Sequence, residues 1–213
     1  MSSPSNPDVR GLLVAFEGLD QSGKQTQAER LRDALTARQR LVRLLSFPAY
    51  ETSIGEEIAR ALRGQRAYPP EVMQLLYVAN RFEHRALITE ETERGGIVIC
   101  DRYVASSVAY GAAQGLDAAW LEEIQRGLPT ADLTVLLDIA PDLSAQRKTD
   151  DRDRYERDLA LLARVRDRYR QLATQQGWLV LDASRSRDLV AAEVRAACER
   201  LLTSSRRAAG PRR

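Results

Sequence analysis

The sequence has little cysteine and histidine: two cysteines and one histidine among 213 residues. Cys100 and Cys198 are far apart and belong to no Cys-x-x-Cys motif, which argues against a disulfide framework or a cysteine-based zinc site and favours a reducing compartment. The net charge is only +2, so the chain as a whole is not drawn to nucleic acid or to an anionic membrane. The longest apolar run near the start, residues 11–16, is too short to cross a bilayer. We therefore expect a cytoplasmic protein that binds neither nucleic acid nor membrane.

Short apolar runs alternate with longer stretches that have helical periodicity. Consecutive apolar positions are typical of strands covered on both faces, and strands alternating with helices predict an α/β fold with a parallel sheet between helices. The predicted strands cover residues 12–16, 41–47, 97–100, 133–137 and 178–181.

Helical stripes occupy the stretches between these runs. Ala28, Leu31 and Leu35 form one stripe, residues 75–79 belong to a second helical stretch, and a long helix is expected over 155–176. No repeat or linker divides the chain, so we predict one domain over residues 11–203. Residues 1–10 and 204–213 have little to bury and are predicted to be a flexible N-terminus and a flexible basic tail.

The most specific motif is GLDQSGK, residues 18–24, which directly follows the first predicted strand and precedes a helical stripe. Glycines let the backbone N–H groups of such a loop point at phosphate oxygens, and the helix dipole adds to the attraction. Lys24 would reach the β and γ phosphates of a nucleotide. A chance match in another kind of turn is the alternative. The predicted ATP-binding residues of this segment are Gly18, Leu19, Asp20, Gln21, Ser22, Gly23, Lys24, Gln25 and Thr26.

The position after the lysine departs from the usual phosphate-loop pattern. Ser or Thr normally stands there and ligates magnesium, whereas this chain has Gln25. The Gln25 carbonyl is a hard oxygen donor and is one candidate ligand; Asp101, at the end of another predicted strand, is a second. Asp101 would lie at the edge of the sheet where the phosphate loop lies, and Arg102 is placed there to hold a second phosphate. An Asp–Arg surface pair is the alternative.

Several segments occur in the order and spacing found in thymidylate kinases. They are the phosphate loop and FEGLD (16–20), FP (47–48), NR (80–81), DRYVASSVAY (101–110) and DRYE (153–156). The chain resembles this family over residues 11–203. The resemblance implies a three-layer P-loop NTPase fold with a five-stranded parallel sheet, a homodimer, and in-line transfer of a phosphoryl group from ATP with Mg²⁺ to dTMP. The alternatives are a kinase for another pyrimidine nucleotide and a P-loop switch that binds nucleotide without catalysis.

The resemblance also implies roles for acceptor-site residues. Asp20 matches the residue that accepts the acceptor's 3′-hydroxyl, and Arg102 matches the arginine that clamps its phosphate. Tyr77 matches the aromatic that stacks on thymine, although core packing is its alternative. Arg81, one helical turn later, matches the residue that bonds a thymine carbonyl.

Five further positions match the acceptor pocket of the family. Phe47, Ser106 and Ser107 correspond to residues lining the base pocket, and Tyr110 to a tyrosine that disfavours ribose. Family members often have an arginine after Phe-Pro; here Tyr50 follows Ala49, and Tyr50 is the candidate for a contact with the acceptor phosphate.

Residues 147–156 resemble the lid that closes over ATP. Family members without a basic residue in the phosphate loop supply the catalytic cation from this lid, and Gln21 stands here where other members have arginine. Arg152 and Arg154 are therefore the catalytic candidates beside Lys24 and Arg102, since a positioned guanidinium stabilises the transferring phosphoryl group. Arg147 is expected beside the adenine and Tyr155 facing the acceptor. A solvated charged helix face is the alternative. His84 is expected in surface or dimer packing.

Overall fold

A computed structural model describes residues 10–147 and 158–208, with side chains as far as Ser204. Within these residues one parallel sheet runs in the order β2-β3-β1-β4-β5. The predicted strands and the five-stranded parallel sheet are confirmed. The strands are β1 (Leu12–Glu17), β2 (Val42–Ser46), β3 (Ile97–Asp101), β4 (Leu133–Asp138) and β5 (Leu179–Asp182).

Helices connect the strands and cover the sheet. They are α1 (Lys24–Thr36), α2 (Ser53–Leu62), α3 (Pro70–Phe82), α4 (Arg85–Glu93), α5 (Val104–Ala113), α6 (Ala118–Glu123), α7 (Pro141–Gln146), α8 (Leu159–Gln176) and α9 (Arg187–Ala208). Across the described ranges, none of the helices is both long enough and apolar enough to cross a membrane.

Two helix boundaries differ from the sequence-based expectation. The long helix predicted from residue 155 begins at Leu159, because the Asp158 carboxylate accepts from the Leu161 N–H and caps it. The last helix continues to Ala208, beyond the domain boundary predicted at residue 203. Hydroxyl hydrogen bonds from Thr203 and Ser204 to carbonyls of the preceding turn accompany this extension.

The sheet is covered on both faces, as consecutive apolar strand residues require. All six residues of β1 are buried. Leu12, Val14 and Phe16 pack in one cluster with residues of α1, α8 and α9, while Leu13 and Ala15 pack in a second cluster on the other face. The predicted stripe of α1 is buried in the first cluster. Burial of each large apolar side chain contributes about 1.5–3 kcal/mol, so this arrangement fixes the layering of the domain.

The central strand β1 brings two loops together at one edge of the sheet. It lies between β3 and β4, and Phe16 is in register with Asp101. The phosphate loop follows β1 and Arg102 follows β3, so both emerge side by side at the carboxyl ends of the strands. Ligands of open α/β sheets bind at such an edge.

The loop after β2 is fastened to α3 by Asn80. The Asn80 Oδ1 accepts from the Ala49 N–H at 2.7 Å, and its Nδ2 donates to the Ala49 carbonyl and to Thr52 Oγ1 at 3.1 and 2.9 Å. Thr52 in turn caps α2 by accepting from the Gly55 N–H. A Cβ atom at Gly55 would lie 1.9 Å from the Ala49 oxygen. The close approach of α2 to this loop therefore requires glycine.

We expect Gly55→Ala to lower the free energy of unfolding by about 2 kcal/mol, because the added methyl group overpacks the contact with Ala49. Denaturant unfolding of the variant and of the native protein measures the difference. Ser53→Ala is the control, since it adds no atoms at an exposed position of the same helix. Equal unfolding midpoints for Gly55→Ala and the native protein would contradict the close approach.

Candidate active site

The phosphate loop curls around the space at the N-terminus of α1. Gly18 and Gly23 have φ angles of 138° and 92°, in the region that favours glycine, and Gly23 is the N-cap of α1. A Cβ atom at Gly18 would also lie 2.5 Å from the Leu137 carbonyl oxygen. Both glycines therefore allow the tight backbone turn around an anion that the GLDQSGK motif predicts.

Lys24 is buried beneath this loop. Its Nζ donates to the Leu19 carbonyl at 2.7 Å. Burial, together with the positive charge of Arg102, lowers the pKa of Lys24 to about 8 despite the opposing attraction of Asp20, Asp101 and Glu17. A bound anion beside this buried ammonium group would favour its charged form and raise its pKa.

A cleft, here called the phosphate-loop cleft, extends from this loop to the connection between β5 and α9. Arg147 bridges the two ends: its Nη1 donates to the Gln21 carbonyl at 3.1 Å and its Nη2 to the Ala183 carbonyl at 2.8 Å. No sequence motif distinguishes residues 183–187, so they were not predicted to belong to the site. The cleft is lined by Asp20, Gln21, Ser22, Gly23, Lys24, Gln25, Thr26, Gln27, Ser46, Phe47, Pro48, Tyr50, Asp101, Arg102, Arg147, Ala183, Arg185, Ser186, Arg187 and Val190.

The two candidate metal ligands differ in their surroundings. Asp101 lies in the phosphate-loop cleft, and its Oδ1 is buried with no hydrogen-bond partner among the described residues. A buried carboxylate oxygen without a partner fits a site for a cation. Gln25 is exposed, and its Nε2 donates to Glu29 one turn further along α1 at 3.0 Å.

A second cavity, here called the aromatic cavity, lies between α3 and α5. The structure brings together there all nine described residues predicted for the acceptor site. Pro48, Leu62, Gln74 and Gln114 also line the cavity and were missed; for Gln74, its position one turn before Tyr77 was an available signal. The full lining is Asp20, Phe47, Pro48, Tyr50, Leu62, Gln74, Tyr77, Arg81, Arg102, Ser106, Ser107, Tyr110 and Gln114.

An ion pair between Asp20 and Arg102 stands where the two cavities meet. Arg102 Nη2 donates to Asp20 Oδ1 at 2.5 Å, and the Tyr110 hydroxyl donates to Asp20 Oδ2 at 3.2 Å. Burial alone would raise the pKa of Asp20, but the charges of Arg102 and Lys24 and these hydrogen bonds lower it to about 2. Asp20 is therefore a carboxylate at neutral pH, and Arg102 and Asp20 line both cavities.

Glu17 holds the start of α5 and with it Arg102. The Glu17 side chain is fully buried; its Oε1 accepts from the backbone N–H groups of Tyr103 and Ser106, and its Oε2 from the Ser106 and Tyr169 hydroxyls. A carboxylate at a helix N-terminus is stabilised by the unpaired N–H groups there. Arg102, two residues before this helix begins at Val104, has a φ of 66°. Glu17 was not among the predicted site residues.

Arg81 is buried in the wall of the aromatic cavity. Its Nη1 donates to Ser107 Oγ and to Gln125 Oε1, each at 3.0 Å. Burial lowers the pKa of Arg81. No described residue accepts from the buried Arg81 Nε. The side chain is thus anchored at one nitrogen and has donor capacity left.

His84 was expected in surface or dimer packing, but its side chain is largely buried. Its ring meets the Phe47 ring edge-on, with centroids 5.4 Å apart, and its Nδ1 lies 3.2 Å from the Asn80 carbonyl oxygen. The surface position was wrong, because the turn between α3 and α4 folds over the end of β2 and leaves the side chain 14% exposed; the dimer contact stays a prediction. His84 therefore supports the wall of the aromatic cavity.

The lid candidates cannot be placed in this site. Arg152, Arg154 and Tyr155 lie outside the described residues. Of the predicted lid, Arg147 is described, and it contacts the phosphate loop as set out above.

Known proteins resemble this chain in sequence. The sequence model of the family described as thymidylate kinase matches residues 16–194. The thymidylate kinase of Arabidopsis thaliana is 37% identical over 180 residues, covering 84% of this chain and 68% of the relative. That of Schizosaccharomyces pombe is 35% identical over 190 residues, covering 87% and 90%. The human thymidylate kinase is 34% identical over 193 residues, covering 89% and 91%.

A solved structure gives the same answer for the fold. The thymidylate kinase of Candida albicans superposes with a TM-score of 0.81 at 29% identity, and the match covers 90% of this chain and 92% of that one. The strand order, the phosphate loop and the paired cavities thus occur in a chain whose sequence is matched from β1 to α9. The chain belongs to the thymidylate kinase family.

Proposed function

We propose that this chain transfers the γ-phosphoryl group of ATP to dTMP, giving ADP and dTDP for thymidine nucleotide biosynthesis. One observation carries the proposal: the phosphate-loop cleft and the aromatic cavity adjoin, and the Asp20–Arg102 ion pair is among the residues that line both. A donor nucleotide in the first and an acceptor nucleotide in the second would bring their phosphates together at that junction. Holding two reactants in this way supplies much of the catalysis of phosphoryl transfer.

ATP binds in the phosphate-loop cleft. The N–H groups of residues 18–23 and the N-terminus of α1 bind the β and γ phosphates, and Lys24 neutralises their charge. Arg147 lies where the adenine or ribose would pass, between the phosphate loop and Ala183. Because Arg147 already bonds two backbone carbonyls, it is held in place before the nucleotide arrives.

Mg²⁺ accompanies the nucleotide, and Asp101 is the residue that would hold it. The buried Oδ1 of Asp101 has no partner among the described residues, which supports this assignment. Gln25 is the weaker candidate, because its side chain is exposed and offers a neutral amide oxygen instead of a buried carboxylate. When bound, the ion neutralises charge on the phosphates during transfer.

The acceptor dTMP binds in the aromatic cavity. Tyr77 stacks on thymine, Arg81 donates to its O4, and Phe47, Ser106 and Ser107 enclose the base. Arg102 binds the phosphate, which suits a planar guanidinium better than an ammonium group. Asp20 accepts from the 3′-hydroxyl, Tyr110 crowds the sugar at C2′, and Tyr50 lies on the phosphate side.

The reaction needs no general base, because the acceptor phosphate is already an anion. Positively charged groups instead stabilise the charge on the transferring phosphoryl group. Lys24 and Arg102 supply two of them, and the lid arginines Arg152 and Arg154 are proposed to supply another.

We assign the domain to residue 11 onward, with the lid at residues 147–156, and we propose that the protein is cytoplasmic.

We expect turnover to be fastest with dTMP among dTMP, dUMP, UMP, CMP and thymidine, and close to nil with thymidine. Arg102→Ala should lower kcat/KM for dTMP about 1,000-fold, since it removes the phosphate clamp from the junction. Coupled detection of ADP formation measures both effects.

Arg166→Ala is the matched control for this substitution. Arg166 makes a two-armed ion pair with Asp138 at 2.6 and 2.9 Å, outside both cavities. Arg166→Ala should change the unfolding temperature while changing the relative turnover of the acceptors little. Tight ATP binding without turnover of any acceptor would instead indicate a nucleotide-binding switch.

We expect ATP binding to take up about half a proton or more at pH 8.5. Lys24 is mostly neutral at that pH in the free protein because its pKa is about 8, and the bound phosphates raise this pKa and protonate it. ATP affinity should accordingly fall as the pH rises above about 8. Calorimetric titrations in buffers of different ionisation enthalpy measure the uptake, and Lys24→Arg, which does not titrate, should abolish it. Equal uptake by native and variant proteins would assign the proton to another group.

Two copies of the chain are proposed to associate through α3. Val72, Leu75, Leu76 and Ala79 form an apolar stripe on this helix that is partly exposed, with Leu75 at 46%. Such a stripe is typical of a covered helix face.

We expect Leu75→Glu to convert the dimer into monomers, because it places a charge in the apolar stripe. Sedimentation velocity measures the molar mass. Leu189→Glu is the control, since Leu189 is similarly exposed on the distant helix α9. A monomeric native protein, or a dimer that survives Leu75→Glu, would contradict association through this face.

A further inference from the structure

Gln74 occupies a place in the aromatic cavity that the proposed roles leave unused. It lies on α3 three residues before Tyr77 and seven before Arg81, so the three side chains share one face of the helix. All three line the aromatic cavity, and Gln74 is only 1% exposed. A polar side chain this deeply buried requires hydrogen-bond partners.

The Gln74 side-chain oxygen has no such partner. No described residue donates to Oε1, although that atom is buried. Gln125, which contacts Arg81, is different. Its Oε1 accepts from Arg81 at 3.0 Å and its Nε2 donates to the Leu121 carbonyl at 2.9 Å. The free protein thus keeps one unsatisfied acceptor in this wall, which costs stability and calls for a donor on the ligand.

Arg81 provides the complementary group. Its Nε is a buried donor without an acceptor in the described part of the chain. The cavity wall therefore offers one acceptor, from Gln74, and one donor, from Arg81, on either side of Tyr77. Their Cα atoms are two helical turns apart, about 10 Å, a gap that a base and two long side chains together can span.

A thymine ring matches this pair of groups. It has a single N–H in the nucleotide, at N3, beside the carbonyl oxygen O4. A base stacked on Tyr77 can satisfy the Gln74 oxygen only through N3–H, while O4 accepts from Arg81. Cytosine has the opposite pattern, an acceptor at N3 and an amino donor at C4, so both contacts would be lost.

We propose that Gln74 determines base specificity by accepting the N3 hydrogen of the acceptor's pyrimidine. This inference rests on the proposed function and deepens it. Gln74 and Arg81 together then select the imide edge of thymine, and rejection of a cytosine acceptor comes from buried groups left unpaired rather than from shape. Sites of this kind discriminate more strongly than apolar pockets do.

The test compares dTMP with 3-methyl-dTMP, which carries a methyl group in place of the N3 hydrogen. The native protein should prefer dTMP by about 100-fold or more in kcat/KM, because the methyl group removes the donor and collides with Gln74. Gln74→Ala should narrow the preference at least about tenfold, since it removes the acceptor and makes room for the methyl group. Gln114→Ala is the matched control, the same substitution in the same cavity, and should leave the ratio of the two substrates as it is in the native protein.

A second variant separates recognition from folding. Gln74→Met keeps the volume and removes only the acceptor, so it should lower kcat/KM for dTMP about tenfold without lowering the unfolding temperature of the ligand-free protein. An unchanged substrate ratio in Gln74→Ala, or an equal loss for both substrates with a lower unfolding temperature, would overturn the role of Gln74. Failure of the native protein to use dTMP would overturn the proposed function itself, and is seen before any variant is made.

Discussion

The site depends on one ion pair, between Asp20 in the phosphate loop and Arg102 after β3. The pair exists because β1 and β3 are adjacent and in register, so that the loops following them emerge together. It places a fixed negative and a fixed positive group at the boundary between two cavities of different character. The two cavities share five lining residues, Asp20, Phe47, Pro48, Tyr50 and Arg102, and the ion pair supplies the two charged ones.

That pair in turn rests on a buried carboxylate. Glu17 closes β1 and collects four donors from α5 and α8, which secures the helix whose first turn follows Arg102. A buried charge is costly unless hydrogen bonds satisfy it, and here they do so from both helices. The network thereby connects the end of β1 to the segment that carries Arg102, directly after β3.

Much of this arrangement could be predicted from the sequence. Apolar runs located the strands, the GLDQSGK motif located the phosphate loop, and the resemblance gathered nine residues that the fold places around one cavity. Gln74, Glu17 and His84 escaped because their roles come from contacts with segments distant in the chain. Gln74 stands inside an apolar helical stripe, where periodicity alone suggests ordinary core packing. Whether its oxygen has a partner is decided by the packing of α3 against α5, which no local pattern encodes.

Helix α3 lines the aromatic cavity with one face and carries the proposed association surface on the other. Its inner face carries Gln74, Tyr77 and Arg81, while its outer face carries the partly exposed apolar stripe of Val72, Leu75, Leu76 and Ala79. A rigid helix cannot shift on one side alone, so if two copies meet on the outer face, association and base binding are thermodynamically linked. Any factor by which association changes the affinity for the nucleotide is then also the factor by which the nucleotide changes the affinity of the two copies for each other. The apparent affinity for the base would therefore depend on the concentration of the protein.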